Sequence, residues 1–251
     1  MVQKRTTTLF KKSLRKMLIF MLSVYAFSVS SAFGSEETRI TSALKYWSMQ
    51  TNVSSQQYLS EVYQTAHFPG LTIAVSQGEW FGGINLSGGD VHSSVVGLDI
   101  KTQTADVDLY LGYYFGKRIA AFVDAKFLST KTELMDTGFF TANTNSNIGQ
   151  IDVGVGGGIS AYQPLATSLL SYQNLGLLLI DSEVSDGSQS SAHKGVNLTG
   201  EIGLAWLPQL APDWRFSAGY KYRQNVLLGS LSGSAISEHG LIAGLSYTVG
   251  L

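Results

Sequence analysis

The sequence predicts an all-β protein: an antiparallel up-and-down β-barrel that crosses a membrane, reached through a cleaved signal peptide. Three observations predict it. Apolar and polar residues alternate with period two over segments about as long as a tilted membrane strand. The connections sort into short or proline-bearing turns and longer polar linkers. The first 34 residues have the layout of an export signal.

That opening segment carries Lys4, Arg5, Lys11, Lys12, Arg15 and Lys16 and no acid, then an apolar run from Met17 to Phe27. Small residues follow, with cleavage expected after Ala32 or Gly34. Its loss removes six of the 17 Lys and Arg residues and none of the 18 Asp and Glu, leaving 11 against 18. An acidic exported chain has no electrostatic case for nucleic acid. Cysteine is absent, which excludes disulfides, thiolate metal sites and a cysteine nucleophile.

Residues 35–70 are expected to form an N-terminal periplasmic segment. Within it "SSQQYLSEVYQTAHFPG" has a serine cap, helix-compatible spacing and a Phe-Pro-Gly stop, so part of it reads as helical. The barrel itself is expected over 71–251. Its first strand would be Leu71–Ser87, although the apolar phase shifts between "LTIAVS" and "WFGGINL", which implies a bulge or two short strands. With Leu71–Ser87 as one strand the count is eight; ten is the alternative, since single-chain bacterial barrels keep an even number.

The later strands are cleaner. In "DVDLYLGYYF", Val107, Leu109, Leu111, Tyr113 and Phe115 oppose Asp106, Asp108, Tyr110 and Tyr114. After the "GKR" turn, Ile119, Ala121, Val123, Ala125 and Phe127 alternate with Asp124 and Lys126. In "IDVGVGGGISA", Ile151, Val153 and Val155 alternate with Asp152 and a row of glycines. Leu169–Val184 is strand-like with an ambiguous phase around "LGLLLI". Leu198, Ile202, Leu204 and Trp206 oppose Thr199 and Glu201; Trp214, Phe216, Tyr220 and Tyr222 oppose Arg215, Lys221 and Arg223. The last strand sets Leu241, Ala243, Leu245, Tyr247, Val249 and Leu251 on one face. Linkers near 129–148, 181–195 and 227–238 read as long polar loops.

In this pattern the chain resembles small bacterial outer-membrane β-barrel proteins such as the OmpA transmembrane domain, OmpX and the opacity proteins. The resemblance covers about residues 71–251. It implies an outer-membrane location, contact with outer-membrane lipid, and a terminal strand (Leu245, Tyr247, Val249, Leu251) read by the barrel-assembly machinery. Such proteins usually end in an aromatic residue, and this chain ends in Leu251.

In a barrel of this kind the apolar face meets lipid and the charged face lines the interior. Phe115, Trp206, Trp214 and Tyr247 are then expected in an aromatic girdle. Asp106, Asp108, Asp124, Lys126, Asp152, Glu201, Arg215, Lys221 and Arg223 are expected to form an interior ion-pair network, because buried charges must be paired or hydrogen-bonded. An eight-stranded barrel has an interior only wide enough for side chains, so the interior reads as plugged or crossed by a very narrow water path.

The expected function is a structural or surface-interaction barrel, with an extracellular ligand taken through the loops. The Phe139–Phe140 pair in "TGFFTANTNSN" is a candidate contact. A narrow channel for small or apolar solutes is the first alternative. A lipid-modifying enzyme is the second, with Asp90, His92 and Ser94 of "DVHSS" as its only candidate set. No Ser-x-x-Lys nucleophile appears between Gly78 and Lys126, soon after the β-lactamase-like "HFPGLTIAVSQGEW", and the four histidines lack metal-ligand spacing. No catalytic residue, metal or cofactor is expected.

Overall fold

The computed structural model describes residues 37–55, 58–95, 98–136, 146–186, 189–228 and 235–251, which form ten strands. These are β1 (Thr38–Ser55), β2 (Tyr58–Gln77), β3 (Trp80–Val95), β4 (Leu98–Phe115) and β5 (Ile119–Asp136). The second half comprises β6 (Ser146–Ala166), β7 (Leu169–Ser185), β8 (Ser190–Trp206), β9 (Trp214–Leu228) and β10 (Ala235–Gly250). Each strand pairs antiparallel with the next, and β10 pairs with β1, so the sheet closes into a barrel.

The count is therefore ten, the alternative, rather than eight. The difference lies at the N-terminal end. Residues 38–70, expected as a periplasmic segment with some helix, supply β1 and most of β2. Helix-compatible spacing in an isolated stretch yields here to closure: without β1 and β2, the ladder edges of β10 and β3 would have no partners. The stretch Leu71–Ser87 is not one strand but the end of β2 and the start of β3. Gly78, at φ 56°, makes the hairpin turn between them, which explains the phase shift. Residues 1–34, expected as a signal peptide, lie outside the described residues.

Pro69 stands inside β2, where a strand loses a donor. The β2–β3 ladder runs from Gln77–Trp80 to Gly70–Ser87 and stops one residue short of it. Beyond that point β2 continues on β1 and β3 continues on β4. Packing inside the barrel takes over there, with Ala66 and Phe68 of β2 in one buried apolar cluster with Val91 of β3, Trp47 and Met49 of β1 and Ile242 of β10.

The expected long linkers are shorter than the sequence suggests. β5 runs to Asp136, β7 to Ser185 and β9 to Leu228, so much of 129–148, 181–195 and 227–238 is strand. Ser-, Thr- and Asn-rich residues read as loop because they are polar on both faces. Paired with neighbours above the lipid, such residues extend a ladder without needing an apolar face. Strands of 15 to 21 residues exceed the roughly 9–11 that cross a bilayer.

The outward faces mark where that crossing lies. From the short-turn rim, β5 presents Ile119, Ala121, Val123, Ala125 and Phe127, then Ser129, Lys131 and Glu133. β4 presents Tyr113, Leu111, Leu109, Val107 and Ala105, then Gln103, Lys101 and Asp99. Val123, Leu241 and Leu179 are each more than 60% exposed, which a water-soluble protein would avoid as a contiguous band. The band is an apolar belt for lipid, and the polar strand ends beyond it form a collar.

The ambiguous phase of β7 has a physical cause. Leu175, Leu177 and Leu179 face outward, while Leu178 and Ile180 face inward and are buried. They fill interior space left by the inward glycines of β6; a Cβ on Gly154 would come within 2.9 Å of the Ile180 side chain.

Replacing outward Leu245 with Arg should impair assembly, since an arginine on the lipid face costs about 2–4 kcal/mol near the midplane. Ser246→Arg points into the interior and should be tolerated better. The measurement is the fraction of protein showing heat-modifiable mobility; equal assembly of both variants would contradict the facing assigned to β10.

Candidate functional site: the barrel interior

The inward positions of the ten strands converge on a mid-level cluster of charge. Its centre is Asp106 on β4. Lys126 on β5 sits opposite Asp108 in the ladder, and its Nζ donates to Asp108 at 2.6 Å and to Asp106 at 2.8 Å. From the far side of the barrel, Arg223 on β9 donates through Nη1 to the same Asp106 carboxylate at 2.8 Å. Arg223 Nε donates to Glu238, its neighbour on β10. Asp106 thus ties two distant arcs of the barrel together across its axis. Lys126, Arg223, Asp106 and Glu238 are all buried.

Trp47 of β1 forms a platform beside this cluster. Lys221 Nζ lies 4.6 Å and Arg223 Cζ 5.3 Å from its ring centroid. A cation over an indole gains roughly 0.5–2 kcal/mol, more where water is excluded. The face of Trp47 therefore helps hold two bases that have left water.

Several other interior polar groups bond to one another. Gln150 donates to Asp152 at 2.9 and 3.0 Å, Thr72 donates to Asn85 at 2.6 Å, and Asn197 donates to Asn225. Glycine makes room for large rings nearer the short-turn rim. A Cβ on Gly112 would fall 2.2 Å from the Phe81 ring, and one on Gly203 would fall 2.6 Å from Tyr172.

All nine residues singled out for the interior occupy the inward phase of their strands. Asp106, Asp108, Lys126 and Arg223 meet directly. Lys221 stands opposite Glu201 in the β8–β9 register and packs on Trp47. Asp152 takes hydrogen bonds from Gln150 rather than from a base of the cluster. Asp124 faces Tyr110 across the ladder and keeps one buried oxygen without a hydrogen bond among the described residues. Arg215 is exposed, near the short-turn rim.

Sequence reading missed Glu238 and Trp47. Glu238 fell in a presumed linker, though it keeps the phase of Ile242 and Gly244, which would have extended the strand by two alternations. Trp47 gave no usable signal. Its strand puts Thr41, Ala43, Lys45 and Met49 inward with it and Ser42, Leu44, Tyr46 and Ser48 outward, so neither face is distinctly apolar.

On the outer wall, Trp206, Trp214, Phe115 and Tyr247 are exposed near the short-turn rim. Trp214 packs on Tyr247 at 5.0 Å between ring centroids, Trp206 on Phe216 at 5.4 Å and Phe115 on Tyr113 at 5.2 Å. Leu245, Tyr247 and Val249 lie on one outward face of β10, and the Leu251 amide donates to the Thr38 carbonyl at 2.8 Å. Asp90 and His92 face outward on β3 with 3.5 Å between them, both exposed. The side chain of Ser94 and the Phe139–Phe140 pair lie outside the described residues.

No family model matches this chain, and no curated protein sequence does. Solved structures do. The translocator domain of the autotransporter NalP from Neisseria meningitidis matches at TM-score 0.52 and 11% identity, over 94% of this chain and 97% of that one. The outer-membrane protease OmpT from Escherichia coli matches at TM-score 0.52 and 10% identity, over 86% of this chain and 98% of that one. The fold is that of a bacterial outer-membrane β-barrel. At these identities the likeness extends to the architecture alone.

The cluster has a mutational signature. Arg223→Met leaves Glu238 and one side of Asp106 buried without their cation, and removing one partner of a buried pair costs about 3–5 kcal/mol. Adding Glu238→Leu should recover part of that loss, because Asp106 still holds Lys126. Unfolding midpoints of the single and double variants check this; a double variant as unstable as the sum of both single changes would contradict the pairing.

Proposed function

We propose that this outer-membrane barrel is plugged and works as a structural or surface-interaction protein rather than as an enzyme or an open pore. The observation that carries the reading is the Lys126–Asp106–Arg223–Glu238 chain of hydrogen bonds across the interior. A conducting path needs water between its charges, whereas here the charges bond to one another. The interior residues named from the sequence are, in this reading, the plug and not a transport or catalytic site.

The working surface is then the collar above the belt. Asp90, His92, Lys101, Lys131 and Glu133 stand on it, on three adjacent strands, and offer both signs of charge to an extracellular ligand. Outer-membrane lipid surrounds the belt, with Phe115, Trp206, Trp214 and Tyr247 as its girdle. The outward face of β10 is the part offered to the barrel-assembly machinery.

One observation favours a second reading, passage of a small apolar solute. Where the β2–β3 ladder ends at Gly70–Ser87, the wall is held by apolar side chains that themselves line the interior.

Planar bilayer recordings separate the two. The protein should show no steady conductance, and Arg223→Ala together with Lys126→Ala should open one if the barrel remains folded. Steady conductance of the unaltered protein would remove the plugged reading. Uptake of an apolar dye into vesicles, without conductance and lost on Phe68→Asp, would favour the second.

A further inference from the structure

The aromatic girdle near the short-turn rim is not continuous. Trp80, Tyr113 and Phe115 occupy it on β3–β4, and Trp206, Phe216, Trp214 and Tyr247 on β8–β10. Between them, on β6–β7, the outward positions are Gln163, Ser171 and Gln173. A hollow of about 190 Å³ lies there, lined by these three residues and by Arg118. Arg118 sits in the turn between β4 and β5, its carbonyl accepting from the Tyr162 amide at 2.7 Å, with Lys117 exposed beside it. This gap holds two cations and two amides where the rest of the ring has indole and phenyl.

A second hollow, of about 430 Å³, continues from it and shares Ala161 and Gln173. Its lipid-facing walls are Ile159, Leu175, Ile202, Tyr220 and Tyr222. Gly200 forms its floor: in the register it lies between Leu175 and Tyr222, and nothing stands within 4 Å of where its Cβ would be. One missing side chain thus makes a notch in the apolar belt, and its volume falls in the roughly 300–1,000 Å³ of ordinary ligand sites.

A cationic and amide-rich foot joined to an apolar shaft within a membrane wall matches one kind of molecule. We infer that this groove binds a glycerophospholipid of the periplasmic leaflet. Arg118 and Lys117 take the phosphate, Gln163 and Gln173 the glycerol and ester oxygens, and one acyl chain lies over Gly200. Arginine suits the phosphate because its fork donates two parallel hydrogen bonds. An amide at the edge of hydrocarbon is costly without a partner, and the lipid's own polar oxygens supply one. Tyr220 and Tyr222 close the far end of the shaft.

The test is native mass spectrometry of the detergent-extracted, delipidated protein after addition of phosphatidylglycerol, with glycerol phosphate alone as a second probe. The unaltered protein should retain the lipid and not glycerol phosphate. Gly200→Leu, which fills the notch, and Arg118→Gln, which removes the fork, should each lower the retained fraction about tenfold. Val75→Leu, outward on β2 across the barrel from β6–β9, should leave it unchanged. Assembly of each variant is confirmed by heat-modifiable mobility, and Gly200→Ala with Lys117→Gln replace any variant that fails to assemble. Retention equal in all variants would mean unspecific annular lipid and overturn the proposal. Binding of glycerol phosphate that is indifferent to Gly200→Leu would overturn it as well, leaving only a phosphate contact. A dimer dispersed by Gly200→Leu would show that a second copy of the chain, not lipid, covers the groove.

Discussion

In hydrocarbon no water satisfies a backbone N–H or C=O, so a sheet can cross a membrane only if its two edges meet. That single constraint organises this molecule. The edges meet where β10 pairs with β1, from Arg39–Gly250 to Ser54–Ala235. Once the sheet is closed, every strand has one face to lipid and one to a confined interior, and the period-two alternation follows. The stretches 38–55 and 58–77 become strands for the same reason, whatever their local spacing prefers.

Closure also creates the interior problem that the charge cluster solves. At mid-level the inward positions are cut off from bulk water and from lipid, so Asp106, Lys126 and Arg223 must find partners on other strands. Asp106 does so twice, with Lys126 next to it and Arg223 across the barrel. Trp47 adds a polarisable face under the bases, and glycines on facing strands give up volume so that Phe81, Tyr172, Leu178 and Ile180 fit. The apolar cluster around Phe68 does comparable work at the one place where the ladder lapses, beside Pro69. Hydrogen bonding, ion pairing and apolar packing each hold the part of the wall that the others leave open.

Outside, the same closure makes the belt a continuous surface on which departures stand out. The break in the aromatic ring at Gln163, Ser171 and Gln173 and the notch at Gly200 lie along adjoining strands and merge into one groove. Above the belt the strands continue as a polar collar, so that loop-like composition is carried on rigid ladder.

The sequence by itself determined the class of the fold, the facing of β4, β5, β9 and β10, and the acids and bases that point inward. These are local properties: a strand's two faces are written every second residue, and Asp106, Lys126 and Arg223 needed no neighbour to declare their side. Tertiary structure alone decided the strand number, the pairing of Asp106 with Arg223 across 117 residues, and the roles of Trp47 and Glu238. Each of these depends on register around a closed ring, a relation among strands that no single strand encodes. The polar-on-both-faces ends of β5 and β7 and the apolar-on-both-faces middle of β7 were illegible for a related reason. Alternation reports a contrast between two environments, and there either both faces are wet or a neighbouring glycine row has made the inside as apolar as the lipid.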